Sequence, residues 1–325
     1  MRTELLTALK EADDYISGQE LCERFGVSRT AIWKAVNQLK EAGYEIEAIQ
    51  NKGYKIISVP DRLSERELQS IRKTSWAGKE IFYYDVIDST NVKAKQLAEE
   101  GHPAGTLVVA ERQDAGRGRR GRSWEAPAGS GIYMTLVLKP EISPNNASML
   151  TLVAALAVAG SITKCTGKQA GIKWPNDIVM EGKKVCGILT EMSAQFDYVN
   201  HIVVGIGINV HNENFPKEIE EMATSIYLQT GEHINRAALI EEILEQFEHY
   251  YAIYLKTEDL SGLVKKYNAS LVNMNKNVRV LDPKEPFEGK AMGINERGEL
   301  IVDTWESRRL VSSGEVSVRG IYGYV

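Results

Sequence analysis

Gly116-Arg-Gly-Arg-Arg-Gly-Arg122 places four cations and three glycines within seven residues. Glycine lets the main chain approach oxygen atoms and aim N–H groups at them, and the guanidinium fork pairs with phosphate or carboxylate. A short basic cluster is also compatible with a solvated or nucleic-acid-binding loop. The setting favours a ligand loop. An apolar, strand-like stretch precedes it (Thr106 to Ala110), another follows (Ile132 to Leu138), and Ala126-Pro-Ala-Gly-Ser-Gly131 lengthens the turn-rich connection between them. A long connection inside a compact domain is usually functional or disordered, and here we read a binding loop ordered by its ligand.

Downstream, Gly171-Ile-Lys-Trp-Pro-Asn-Asp-Ile178, Gly182-Lys-Lys-Val-Cys-Gly-Ile-Leu189 and Val203-Val-Gly-Ile-Gly-Ile-Asn209 read as three strands with polar interruptions. Gly182 suits a tight hairpin that brings Asp177 towards Lys184 across paired strands. Lys184 sits beside Val185, Ile188 and Leu189, which implies partial burial and therefore the need for an anion. Gly205 and Gly207 allow a ligand to lie directly against a sheet. Upstream, a strand from Ile81 to Ile87 runs into Asp88-Ser89-Thr90-Asn91 and a helix from Val92 to Glu100. These polar side chains either cap the helix or hydrogen-bond a polar head group such as a urea or amide, and both readings stand.

The first 60 residues read as helices over Thr3 to Ala12, Gly18 to Phe25 and Arg29 to Ala42, capped by Ser17 and Ser28, and then a hairpin from Glu45 to Ile57 turning at Asn51-Lys52-Gly53. That order describes a winged helix-turn-helix. Its third helix offers Ser28, Arg29, Thr30, Trp33, Lys34 and Asn37 to DNA, and its wing offers Lys52 and Lys55. Trp33 can face either way. Eight Lys plus Arg stand against nine Asp plus Glu over residues 1–60. One copy therefore neutralises phosphate weakly, and tight operator binding requires two copies held together.

Pro60-Asp61 marks a boundary, after which Ser64 caps a helix from Glu65 to Lys73. Helices from Arg236 to Leu255 and Asp259 to Ser270 follow the middle segment. Beyond Asn275, five short strands (Val278 to Leu281, Phe287 to Ile294, Leu300 to Thr304, Arg308 to Val311, Glu315 to Arg319) with turns at Asn295 to Gly298 and Ser312 to Gly314 suggest a small SH3-like barrel. The expected architecture is a multidomain α+β chain: a winged helix-turn-helix over 1–60, a central mixed α/β domain over 64–272 and a β-barrel over 275–325.

With 43% hydrophobic residues the 325-residue chain can build packed cores, and a net charge of −5 leaves no global attraction to nucleic acid. The apolar run Met149 to Ile162 is shorter than a membrane span and reads as a buried helix. Cys22, Cys165 and Cys186 lack metal-ligand spacing and fit a reducing cytoplasm. A cytoplasmic location without a membrane partner is expected.

Gly116 to Arg122, the Lys173-Trp-Pro-Asn-Asp177 string with Lys183 to Leu189, and Val204 to Val210, together with Asp88 to Asn91 and the N-terminal winged helix, resemble the biotin protein ligases in the bifunctional form that also represses biotin-synthesis genes. The resemblance covers nearly the full length. It implies a class II synthetase-like central sheet and a two-step reaction: ATP and biotin give biotinyl-5′-AMP and pyrophosphate, then biotin passes to a lysine of the biotin carboxyl carrier protein of acetyl-CoA carboxylase and other biotin enzymes. It implies Lys184, Arg119 and Asp177 as catalytic. Ser89, Thr90, Asn91, Gln113, Gly116, Arg117, Gly118, Trp124, Gly187, Gly205, Gly207 and Asn209 would bind biotin or the adenylate with Arg119 and Lys184. Arg120 and Arg122 would bind polyphosphate or order the loop, and Asn212 to Tyr227 would close over adenine. Mg2+ would screen the triphosphate, with unassigned ligands; Asp177 is either a water-mediated ligand or a base. Biotin operator DNA, and a homodimer formed when biotinyl-5′-AMP is bound, complete the partners. A ligase without operator binding and a biotin-sensing regulator without catalysis are the alternatives.

Overall fold

A computed structural model describes residues 1–282, 285–313, 317–320 and 324–325. Two compact units emerge, one of residues 1–73 with 235–241 and one of 74–234 with 242–325.

The first unit contains α1 (Arg2–Glu11), α2 (Gly18–Phe25), α3 (Arg29–Glu41), the antiparallel pair β1 (Glu45–Ile49) and β2 (Gly53–Ser58), and α4 (Glu65–Ile71). Ser17 and Ser28 accept the backbone N–H groups of Glu20 and Ala31, and Gly26 ends α2 in the left-handed conformation. Leu5, Leu6, Leu9, Leu21, Ile32, Val36 and Leu39 fill the core. Ile16 makes a single bridge to Tyr54 on β2, and a Cβ on Gly53 would stand 2.0 Å from the Ile16 carbonyl. The expected helix order and hairpin are present. Arg236, buried, donates from its backbone N and from Nε to the two Asp61 carboxylate oxygens at 2.8 Å each.

The second unit is built on β3 (Ile81–Ile87), α5 (Thr90–Glu99), β4 (Leu107–Gln113), β5 (Gly131–Leu138), α6 (Met149–Thr166), β6 (Gly171–Lys173), β7 (Asp177–Met180), β8 (Lys183–Ala194), β9 (Val199–Asn209), α7 (Ile226–Thr230), α8 (Arg236–Thr257, in this unit from Glu242) and α9 (Val264–Ser270). Seven strands form one sheet in the order β3-β4-β5-β9-β8-β7-β6, parallel between β3 and β4 and antiparallel elsewhere. Where the sequence reads as three strands after Gly171, four are present. Pro175 has no N–H to continue a ladder, so the chain turns at Trp174-Pro175-Asn176 and β6 pairs with β7 as a separate hairpin. The helix expected from Asp259 begins only at Val264, because Leu260 to Leu263 make a turn bonded to Glu296 O.

The stretch Pro144–Thr166 is long and apolar enough to cross a membrane. In the structure Leu150, Val153, Leu156, Val158 and Ile162 of α6 are buried in the unit. The last five strands, β10 (Asn277–Leu281), β11 (Phe287–Ile294), β12 (Leu300–Asp303), β13 (Arg308–Val311) and β14 (Ser317–Gly320), form an antiparallel sheet in the order β13-β12-β11-β10-β14. Of the expected final strand and turn, Gly314, Glu315 and Val316 lie outside the described residues.

Candidate functional site

Strand register exposes a bare patch at the centre of the large sheet. Gly187 on β8 lies opposite Gly207 on β9, Leu189 lies opposite Gly205, and β5 sets Tyr133 beside Gly207 and Thr135 beside Gly205. A Cβ on Gly205 would stand 2.0 Å from Asn91 Oδ1; on Gly207 it would stand 2.9 Å from Trp124 Nε1, and on Gly187 3.0 Å from the same indole. The glycines therefore make a floor, and Trp124 lies across part of it. Its Nε1 is buried without a hydrogen-bond partner.

At one end of the floor is a polar cluster carried by the α5 N-terminus. Thr90 donates from its backbone N and its Oγ1 to Gln113 Oε1 at 2.8 and 2.9 Å, leaving Gln113 Nε2 as a donor. Ser89 occupies the N-cap position, yet its side chain makes no capping bond, so the capping role is absent here. Asn91 Oδ1 accepts from Thr135 Oγ1 at 2.7 Å, and Asn91 Nδ2 donates to Glu191 Oε2 at 2.7 Å. Burial opposes ionisation of Glu191, but the Lys95 ammonium at 2.8 Å and the Asn91 amide hold its carboxyl below the ordinary range. Thr135 and Glu191 went unassigned in the sequence; the one available signal for Thr135 is a hydroxyl within an otherwise apolar strand.

The basic loop folds back as a short hairpin. Gln113 bridges Ala126, Arg117 bridges Ser123, and Trp124 N donates to Gly116 O at 2.9 Å. A side chain at Gly116 would meet Trp124 O at 2.4 Å, which is why glycine is needed there. Arg119 donates to Asn176 Oδ1 at 3.0 Å and to Ser313 O at 2.6 Å, so it ties the loop to the β6–β7 turn and to the turn after β13. Ser89, Thr90, Asn91, Gln113, Arg117, Gly118, Arg119, Trp124, Lys184, Gly187, Gly205 and Gly207 line one cavity, joined by Asn176. Its volume of about 50 Å3 is small against the roughly 300 Å3 of a typical small-molecule pocket. The Trp124 indole lies over part of its floor.

A second cavity, of about 400 Å3, is lined by Lys184, Trp124, Arg122, Lys173, Asp177, Asn209, Arg319 and Tyr324, with Asn212, Asn214, Phe215, Pro216, Ile219, Met222 and Ala223 of the following loop. That loop is anchored on Lys184, whose backbone N donates to Met222 O at 2.7 Å and whose carbonyl accepts from Thr224 N at 2.8 Å. Asn209, also assigned to the site, donates from Nδ2 to Thr224 O at 3.0 Å.

The sequence brings Asp177 towards Lys184, and the two do meet: Nζ lies 2.5 Å from Oδ1. They are not cross-strand partners. Asp177 pairs with Gly187 and Lys184 with Val179, separated by a bulge between Ile178 and Val179, and the lysine side chain reaches along the sheet. The contact is a close ion pair. Asp177 Oδ2 accepts from the Tyr324 hydroxyl at 2.5 Å.

Lys173, unassigned in the sequence, is buried beside them. Burial lowers its pKa to about 8; Asp177 opposes the shift, while Lys184, Arg319 and Arg122 add to it. In the free protein the ammonium is therefore charged below about pH 8 and neutral above. A polyanion in this cavity favours the charged form, so its binding should take up a proton near pH 8 and weaken as pH rises further. Calorimetry of ATP binding in buffers of different ionisation heat should show this uptake, and Lys173→Met should remove it.

In the first unit, Trp33 is 56% exposed, with Arg29, Thr30 and Lys34 also exposed on α3 and Asn37 half-buried. This resolves the ambiguity of Trp33 in favour of the outer face. Ser28 Oγ serves as the α3 cap, and Arg29 donates to Gln19 Oε1 at 3.1 Å. Lys52 lies over the Tyr15 ring, and Lys55 pairs with Asp14 at 3.2 Å. Among the described residues no group of three or more His, Cys, Asp or Glu could hold a metal.

Three family profiles match in succession: a helix-turn-helix domain over residues 2–55, the biotin/lipoate A/B protein ligase family over 83–209, and the biotin protein ligase C-terminal domain over 274–319. The bifunctional ligase/repressor BirA of Bacillus spizizenii is 41% identical over 321 residues, 98% of each chain, and BirA of Escherichia coli is 26% identical over 314, 97% of this chain and 96% of its own. A solved biotin protein ligase from Aquifex aeolicus in complex with biotin and ATP superposes with a TM-score of 0.66 at 30% identity, covering 74% of this chain and 99% of that one. By whole-length identity and by the order of its three matched segments, the chain belongs to the bifunctional biotin ligase/repressor family.

Proposed function

We propose that this protein is an ATP-dependent biotin protein ligase that forms biotinyl-5′-AMP, transfers biotin to a lysine of a biotin carboxyl carrier protein, and represses biotin-synthesis genes with the adenylate as co-repressor. One observation carries the catalytic half: a glycine floor runs from hydroxyl and amide groups suited to a urea to a cationic end formed by Arg117, Arg119 and Lys184.

The chemistry follows from charge. A biotin carboxylate is already anionic at neutral pH, so its attack on the α-phosphorus requires no protein nucleophile. It requires two anions brought together and the departing pyrophosphate neutralised. Ser89, Thr90, Asn91 and Gln113 hold the ureido end, the floor carries the ring and valeryl chain, and Lys184 bridges carboxylate and α-phosphate. In the second step the lysine amine attacks the acyl carbon, AMP leaves, and Lys184 again stabilises the growing charge. Both Asp177 oxygens are engaged, Oδ1 by Lys184 and Oδ2 by Tyr324, which favours an anchor for the lysine over a base.

Trp124 lifts off the glycine floor to admit biotin and then packs on the ligand. The 400 Å3 cavity takes the nucleotide beneath residues 212–227, keeping water from the acyl phosphate. Mg2+ would arrive with the ATP substrate and be held mainly by its phosphates. In the same reading 1–60 is a DNA-binding domain, 64–272 a class II synthetase-like catalytic domain and 275–325 an SH3-like barrel.

For repression, adenylate must bind the dimer more tightly than the monomer, supplying the second winged helix that the weak local charge requires. Incubation with biotin, α-labelled ATP and a carrier domain should yield pyrophosphate, labelled adenylate and biotinylated carrier. Sedimentation with biotin plus ATP should show a dimer that shifts operator DNA. No adenylate would refute the ligase. An unchanged monomer fraction would refute the repressor half and leave the ligase standing.

A further inference from the structure

The cavity assigned to the nucleotide has a wall that neither the basic loop nor the large sheet supplies. Tyr324, beyond the five-stranded sheet, donates its hydroxyl to Asp177 Oδ2 at 2.5 Å. Its ring lies 3.2 Å from the Lys173 ammonium, centroid to Nζ. One side chain thus touches two groups of opposite charge, and Asp177 holds Lys184 at 2.5 Å through its other oxygen. We propose that Tyr324 is a positioning residue for adenylate synthesis, orienting Lys184 through Asp177 and seating Lys173 against the triphosphate, a role that rests on the ligase reading above.

The physical case is one of competing partners. Asp177 is half-buried and offers two oxygens, and an uncommitted carboxylate beside Lys184, Lys173 and Arg319 could swing between three cations. A neutral donor on Oδ2 fixes the carboxylate plane without adding charge, so Oδ1 stays with Lys184. Burial first, and then the Asp177 charge, drive the phenol pKa far upward, so the hydroxyl remains a donor at any working pH. The ring presents its face to Lys173, an arrangement that stabilises an ammonium out of water while leaving its N–H groups free for phosphate. Both contacts come from a tail that the strand pattern and the basic loop leave unassigned.

Two substitutions separate the two contacts. Tyr324→Phe keeps the ring and removes the hydroxyl. It should lower kcat for adenylate synthesis roughly tenfold while KM for biotin, KM for ATP and the melting temperature hold, as expected for a lost hydrogen bond to a charged group that matters only to alignment. Tyr324→Leu removes the ring as well and should in addition raise KM for ATP several-fold, since Lys173 loses its support. Transfer from preformed biotinyl-5′-AMP should slow in both variants, through Lys184, without a change in KM for the carrier.

A Tyr324→Phe enzyme with the parent's kcat in both steps would overturn the inference. So would a rise in every KM with kcat unchanged, which marks a wall and not a positioning contact. A parent protein that releases no pyrophosphate with biotin and ATP would overturn the ligase reading itself, an outcome distinct from an active parent matched by its phenylalanine variant.

Discussion

Lys184→Met should lower both half-reactions, adenylate synthesis and transfer from preformed adenylate, each by about 10² to 10³, the range for a preorganised donor aimed at developing charge. Methionine retains the bulk of the stem, so its place beside Trp124 is kept and the ammonium alone is lost. The Nζ sits 5.4 Å from the centre of the Trp124 ring and 2.5 Å from Asp177 Oδ1, which sets it at the junction of the two cavities. In the proposed reaction that junction is where carboxylate, α-phosphate and incoming amine meet. The check is a pair of assays run separately: biotin-dependent pyrophosphate exchange, and single-turnover transfer to the carrier domain. Loss of the first with the second intact would confine the lysine to adenylate synthesis and refute its double role.

Gly205→Ala should weaken biotin binding by about 100-fold or more, the second large effect. A new Cβ would stand 2.0 Å from Asn91 Oδ1 and 2.8 Å from its Cγ, far inside any tolerated contact. Asn91 cannot swing aside cheaply, because Thr135, Leu189 O and Glu191 all hold it. Overpacking of this kind costs about 1–3 kcal/mol, and the buried amide's hydrogen bonds are lost in addition. Titration calorimetry with biotin, together with a thermal melt, separates damage to the site from unfolding. Wild-type affinity in a folded variant would show that the ureido end binds elsewhere. Because the winged helix lies in the other compact unit, its helical signal should persist in this variant.

Much of this architecture was open to a reader of the residues alone. The winged helix declares itself through Ser17 and Ser28 as caps, Gly26 as a stop and Asn51 to Gly53 as a turn, all local signals that act over three or four residues. The residues at the glycine floor and the basic loop were likewise marked, because glycine among β-branched residues and arginine among glycines are chemically conspicuous. The extra strand has a plain cause. Pro175 splits one expected strand into two, and the residue-by-residue pattern of Gly171 to Ile178 contains nothing to show that the halves pair with each other.

Thr135, Glu191, Asn176, Lys173 and Tyr324 escaped the sequence reading for a different reason. Each acquires its role from a partner distant along the chain: Thr135 from Asn91, Glu191 from Asn91 and Lys95, Asn176 from Arg119, Lys173 and Tyr324 from one another. A threonine in an apolar strand, or a tyrosine past the last strand, has no periodicity or motif of its own.

Amino-acid order alone therefore determined the winged helix, the cationic loop, the glycine floor and the family, because these rest on backbone freedom, capping and charge within short windows. Tertiary structure alone decided that Trp124 covers the floor, that a bulge separates Asp177 from Lys184 in register yet leaves them in contact, and that Tyr324 bonds Asp177 at the wall of the larger cavity. Such facts depend on which strands become neighbours and how far a side chain reaches, and that geometry is set by the packing of the whole unit.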